Sequence, residues 1–103
     1  MNKLRIVKGE TYYMIRTPEN IKKYSRNWIV SPFFFTVRRR VRRGRDVSYM
    51  GLRITKNLNT EYSYWLSRKN LVKNFIVRKM SENEVLDLVK KVQATKMIKE
   101  LEK

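Results

Sequence analysis

Apolar and polar residues alternate along most of this chain, and the period of the alternation changes near residue 80. Leu4 to Val7 and Thr11 to Arg16 read as two short strands joined at Lys8-Gly9, a turn ending in glycine that signals a hairpin. Pairing Val7 with Glu10 puts Leu4, Ile6, Thr11, Tyr13 and Ile15 on one face, most of them apolar. Thr17-Pro18-Glu19 reads as a helix start: a threonine cap, proline at the first helical position and an acid in the first turn. That short helix is expected to end near Asn27.

A central hairpin comes next, with Trp28 to Val41 and Asp46 to Thr55 as its strands. A four-residue loop, Arg42 to Arg45, uses Gly44 for its permissive backbone. It sets Val41 against Asp46, Val37 against Met50, Phe35 against Leu52 and Phe33 against Ile54, so both apolar sets share a face. A three-residue loop would set Val37 against Gly51 and break that match, so the longer loop is expected. Tyr62 to Ser67 and Leu71 to Arg78 read as two further strands around Arg68-Lys69-Asn70. Their facing is ambiguous because Tyr64 and Trp65 are adjacent and both favour burial, and either segment is also compatible with helix.

Ser81-Glu82-Asn83-Glu84 is a capping box, and Met80 with Val85 can form the accompanying hydrophobic staple. A helix from Glu82 to about Leu101 should follow, with Val85, Leu88, Val89 and Val92 as its core-facing stripe. Ala94, Met97, Ile98 and Leu101 form a second stripe roughly on the opposite side. One straight helix cannot bury both against one sheet. Either it bends near Gln93, or Met97, Ile98 and Leu101 meet a second copy or another protein, or the tail frays and those residues are incidental. The expectation is an α+β fold in one domain, residues 1–103. It consists of a small antiparallel β-sheet of hairpins, a short helix after the first hairpin and a C-terminal helix on one face.

Charge changes this picture from a fold to a partner. The chain has 103 residues, 25 Lys and Arg against 9 Asp and Glu, and a net charge of +16. All of the excess lies before residue 80, since the last segment balances five Lys with five acids. Self-repulsion of this size opposes compaction, so a polyanion is the natural partner. With 42% hydrophobic residues the chain can still build a core. It has no cysteine and no histidine, which excludes disulfides, Cys-based zinc sites and the commonest metal ligand and general base. The longest mostly apolar stretch, Trp28 to Val37, is far short of the about 20 residues of a membrane span. Met1 to Gly9 lacks a signal-peptide core. A soluble, intracellular (cytoplasmic) protein without membrane contact is expected. Alanine occurs once while Lys, Asn, Ile and Tyr abound, a usage that suggests an AT-rich genome such as that of a virus, phage or mobile element.

The candidate chemistry is concentrated at Arg38, Arg39, Arg40, Arg42, Arg43 and Arg45, six arginines within eight residues. Guanidinium forks match phosphate oxygens and guanine edges; a solubilising loop or a transport signal would use the same residues. In the expected register Phe34 and Tyr49 face outward among Arg38, Arg40 and Arg53, an open platform on which bases could stack beside Gly51. The competing arrangement has the C-terminal helix covering that face, with Phe34 and Tyr49 in the core. Lys22, Lys23 and Arg26 on the short helix would extend the basic surface.

The four acids before residue 80, Glu10, Glu19, Asp46 and Glu61, show no nuclease spacing, and Gly9, Gly44 and Gly51 stand apart rather than forming a phosphate loop. No enzyme, metal or cofactor is expected. In layout alone, a three-stranded sheet followed by a helix resembles plant-type AP2 and integrase arm-binding domains. With the short helix first, the order is similar to that of a double-stranded-RNA-binding domain. The motif of neither is present, since Ser81 to Lys96 lacks a basic, Ala-rich helix start. The leading expectation is a non-enzymatic nucleic-acid-binding protein, DNA or RNA. The alternative is a small viral or mobile-element inhibitor or adaptor that docks on a host nucleic-acid enzyme or defence nuclease.

Overall fold

The computed structural model describes residues 5–19 and 32–101. Its elements are β1 (Thr11–Arg16), β2 (Phe33–Arg43), β3 (Asp46–Thr55), β4 (Thr60–Ser67), α1 (Arg68–Asn74), β5 (Phe75–Lys79) and α2 (Glu82–Leu101). The strands form one antiparallel sheet of five in the order β4-β3-β2-β1-β5. The fold is α+β, as the pattern predicts. The short helix expected from Thr17 to Asn27 has only its start, Pro18 and Glu19, among the described residues.

The first hairpin does not form. Lys8-Gly9 does turn, with Gly9 at φ 92° and the Glu10 amide donating to the Val7 carbonyl at 3.2 Å. Residues 5–7 are not a strand, however. The turn docks on β2 instead: the Gly9 amide donates to the Val37 carbonyl and the Val37 amide to the Glu10 carbonyl. The Tyr12 hydroxyl accepts from the Val7 amide at 2.8 Å and donates to the Arg5 carbonyl. Ile6 thereby joins Tyr12 and Met14 in the core, rather than Thr11, Tyr13 and Ile15.

The second correction concerns register. β2 and β3 meet at a two-residue turn, Gly44-Arg45, with Arg43 opposite Asp46. Gly44 at φ 61° takes the left-handed position that favours glycine. A bulge at Arg38 then shifts the pairing, so that Val37 opposes Gly51, Phe35 opposes Arg53 and Phe33 opposes Thr55. The expectation failed because it required a single apolar face. This sheet is covered on both faces, so consecutive Phe33, Phe34 and Phe35 all find packing.

One face carries Tyr12, Met14, Phe33, Phe35, Val37, Tyr49, Leu66 and Phe75, closed over by Ile6 and by Leu71 of α1. Phe33 meets Phe75 and Tyr64 edge-on, at centroid distances of 5.6 and 5.7 Å. The other face carries Tyr13, Phe34, Leu52 and Ile54, covered by Val85, Leu88 and Val92 of α2. α1 replaces the start of the strand expected from Leu71. Ser67 caps it, accepting from the Asn70 amide at 3.1 Å, and it turns Leu71 into the first core. α2 keeps its expected bounds and its capping box: the Ser81 amide donates to Glu84 Oε1, and the Glu84 amide to Ser81 Oγ. Leu88 and Val92 are buried, but Val89 faces solvent.

Candidate functional site

The arginine-rich hairpin projects past its neighbours. β1 pairs with β2 only through Phe33 to Thr36, and β4 reaches along β3 only as far as Ser48. From Arg38 onward the hairpin therefore extends beyond β1, and from Arg42 to Val47 it extends beyond β4 as well. All six of its arginines are exposed. Among the described residues the ion pairs are Arg53–Glu61, Arg78–Glu84 and Lys79–Glu10, and none involves the tip. Arg42 Nε donates to the Gly44 carbonyl at 3.3 Å, which stiffens the turn without neutralising charge. Alternation places Arg40 and Arg42 on the face of Tyr49, and Arg39 and Arg43 on the face of Met50. The tip is basic on both sides.

The expected platform of Phe34 and Tyr49 is not built. The shifted register sends these rings to opposite faces. Tyr49 is buried, and its hydroxyl accepts from Arg68 Nη1 at 3.2 Å. Phe34 packs 5.0 Å from Tyr13 in the layer under α2. Arg53 is not offered to solvent either. Its guanidinium sits 4.8 Å from the Phe33 ring and 5.0 Å from the Tyr64 ring, and pairs with Glu61 at 3.4 Å. Nor is Gly51 an opening for a ligand: a Cβ there would lie 1.9 Å from the Thr36 carbonyl oxygen, so its bare backbone admits β2 at the bulge. Lys22, Lys23 and Arg26 lie outside the described residues.

The ring that the alternating pattern left undecided is the one left in the open. Tyr64 turns into the first core, so Trp65 turns outward on the opposite face and is 49% exposed. A bulge in β4 sets Tyr64 against Gly51 but Glu61 against Arg53. Because of that extra residue, Tyr62 emerges on the same face as Trp65. Tyr62 is 53% exposed, and Lys96 Nζ of α2 donates to its hydroxyl at 2.8 Å. The bonds from Lys96 and then Thr60 hold the phenol below its ordinary range, and Arg38 adds a smaller effect of the same sign. Arg39, Met50 and Trp65 lie in one cross-strand row, with Val41, Ser48 and Ser67 in the next. The adjacency of Tyr64 and Trp65 was the available signal, because strand alternation forbids burying both on one face.

A groove of about 670 Å³ lies between α2 and the sheet, over Tyr13, Phe34 and Leu88. Its rim carries both signs, including Lys56 and Lys91 against Asp87, and does not favour an ion of either charge. Among the described residues no cluster of His, Cys, Asp or Glu is placed to hold a metal ion, and no helix is long and apolar enough to cross a membrane. Comparison with protein-family models, curated proteins and solved structures finds no match.

Proposed function

We propose that the chain is a small, non-enzymatic nucleic-acid-binding protein that grips the phosphate backbone with the tip of its β2–β3 hairpin. The observation that carries this reading is the projecting tip itself, six exposed arginines that no carboxylate neutralises among the described residues. Like charges so close together repel one another, and a row of phosphates converts that repulsion into charge-assisted hydrogen bonds. Contact with about five to eight phosphates implies a slope of log K against log salt of roughly −4 to −7. Changing Arg40, Arg42, Arg43 and Arg45 together to Ala should weaken binding more than tenfold, or about 1.4 kcal/mol, and flatten that slope. The melting temperature should hold or rise. An equal loss from Lys90, Lys91 and Lys99 to Ala, or a slope near zero on every nucleic acid, overturns the proposal.

A second reading is that of an adaptor or inhibitor docking on a protein, or of a homodimer. It is favoured by the outer stripe of α2, where Met97, Ile98 and Leu101 are 64%, 55% and 83% exposed. Light scattering on the full chain and on a chain ending at Gln93 tests the dimer. Retention of random-sequence nucleic acid at moderate salt separates a nucleic-acid binder from an adaptor specific for a protein.

A further inference from the structure

We propose that the open half of the second sheet face is a base-stacking platform for single-stranded nucleic acid, with Trp65 and Tyr62 as its rings and Arg38 and Arg39 as its phosphate contacts. The inference rests on the nucleic-acid reading above and names the kind of strand bound.

α2 crosses only part of this face. Leu88 and Val92 cover the half that holds Phe34 and Ile54, and the helix then passes Tyr62 and Asn59, which receive hydrogen bonds from Lys96 and Lys99. Beyond it, towards the hairpin tip, lie Met50 and Trp65. Leaving half of a Trp in water forgoes a large apolar gain, and this sheet had a buried alternative in its other face. The bulge in β4 then adds Tyr62 to the same side, about 10 Å along the strand from Trp65 at three residues of extended chain. Lys96 fixes the Tyr62 ring by its hydroxyl, with the ammonium 5.5 Å from the ring centroid. Arg39 stands two strands from Trp65 in the same row, again about 10 Å away. Two rings ordered along an edge strand, bordered by arginines that no carboxylate pairs with among the described residues, suit a ligand with π-faces on one side and phosphates on the other.

A duplex does not fit that description, because its base faces are already stacked and only edges and backbone can be reached. Unpaired bases can stack on an exposed ring, which contributes about 1–3 kcal/mol per base. The tip arginines alone would serve either form. The aromatic row favours the single strand, and stacking tolerates any base, so discrimination should be by strandedness more than by sequence.

The test compares wild type, Trp65→Ala, Trp65→Ala with Tyr62→Ala, and Trp65→Phe. Labelled oligo(dT), oligo(U) and a mixed-sequence duplex of equal length serve as ligands, with binding read by fluorescence anisotropy. Loss of about tenfold or more on the single strands in Trp65→Ala, with duplex affinity changed less than about twofold and the salt slope unchanged, is the expected result. Trp65→Phe should keep most of the affinity. As a reading that does not depend on the alanine variants, tryptophan emission of the wild type should be quenched by either single strand, and more strongly than in Trp65→Phe, where Trp28 is the tryptophan that remains. Equal loss on single strand and duplex, or no loss and no quenching, overturns the platform and leaves the phosphate-binding tip standing. If the wild type binds none of the three ligands, the nucleic-acid reading itself fails, and the platform with it.

Discussion

The two faces of the sheet are built on different terms. The first is a closed aromatic layer: Phe33, Phe35, Tyr49 and Phe75 interlock, Ile6 and Leu71 close it, and even the Arg53 guanidinium is held between rings. The second is divided. α2 covers one half through two buried residues, Leu88 and Val92, while Met50 and Trp65 lie beyond it. Stability therefore belongs mainly to the first face, and the second retains surface that can meet a ligand. The division is possible because a β-strand addresses each face with alternate residues, so one strand can anchor the fold and present a side chain in the same stretch. In β4, Tyr64 and Leu66 do the first and Trp65 does the second.

The comparison breaks most readily under truncation of each core. Leu71 is fully buried in a filled layer, and Leu71→Ala should cost about 4 kcal/mol. Leu88 borders the groove beside α2, where the surroundings are already open, so Leu88→Ala should cost about 2 kcal/mol. Chemical denaturation measures both, and equal losses would mean that the faces contribute alike. Next comes the joint between the faces. Gly51→Ala drives a methyl group into the backbone of Thr36 at the bulge, and about 2 kcal/mol should be lost. A neutral result there would show that the register relaxes freely.

Smaller effects sharpen the account of the second face. Ser81→Ala removes the hydroxyl that accepts from the Glu84 amide, and about 1 kcal/mol should go with it. The Glu84 carboxyl accepts from Arg78 and then from the Ser81 amide, which holds it below the usual carboxylate range. A lowered carboxyl contributes fully at neutral pH, and its contribution is lost as pH falls through its folded value. Melting followed from about pH 7 down to about pH 3 should therefore fall slightly less steeply in Glu84→Gln than in the wild type. The difference is small because the pair is exposed and screened. Identical slopes would remove the pair from any role in docking α2.

Local chemistry by itself was enough for α2. Its cap closes between Ser81 and Glu84, three residues apart, so no distant partner is needed to say where the helix begins. The same holds for a turn at Gly44 in the central hairpin, though not for its two-residue length, and for the concentration of charge at its tip, which belong to residues adjacent in the chain. Three matters were decided only by tertiary structure. β1 had an adjacent segment to pair with and took β2 and β5 instead, because those strands bury Tyr12 and Met14 in a layer that a two-stranded hairpin does not have. The segment after Ser67 became helix because α1 carries Leu71 into that layer. The bulges at Arg38 and in β4 reset which residues share a face, and so exchanged the expected rings, Phe34 and Tyr49, for Trp65 and Tyr62. A period of two marks alternation but not which side is inside. The side is chosen by what packs there, and a single extra residue reverses it for everything beyond.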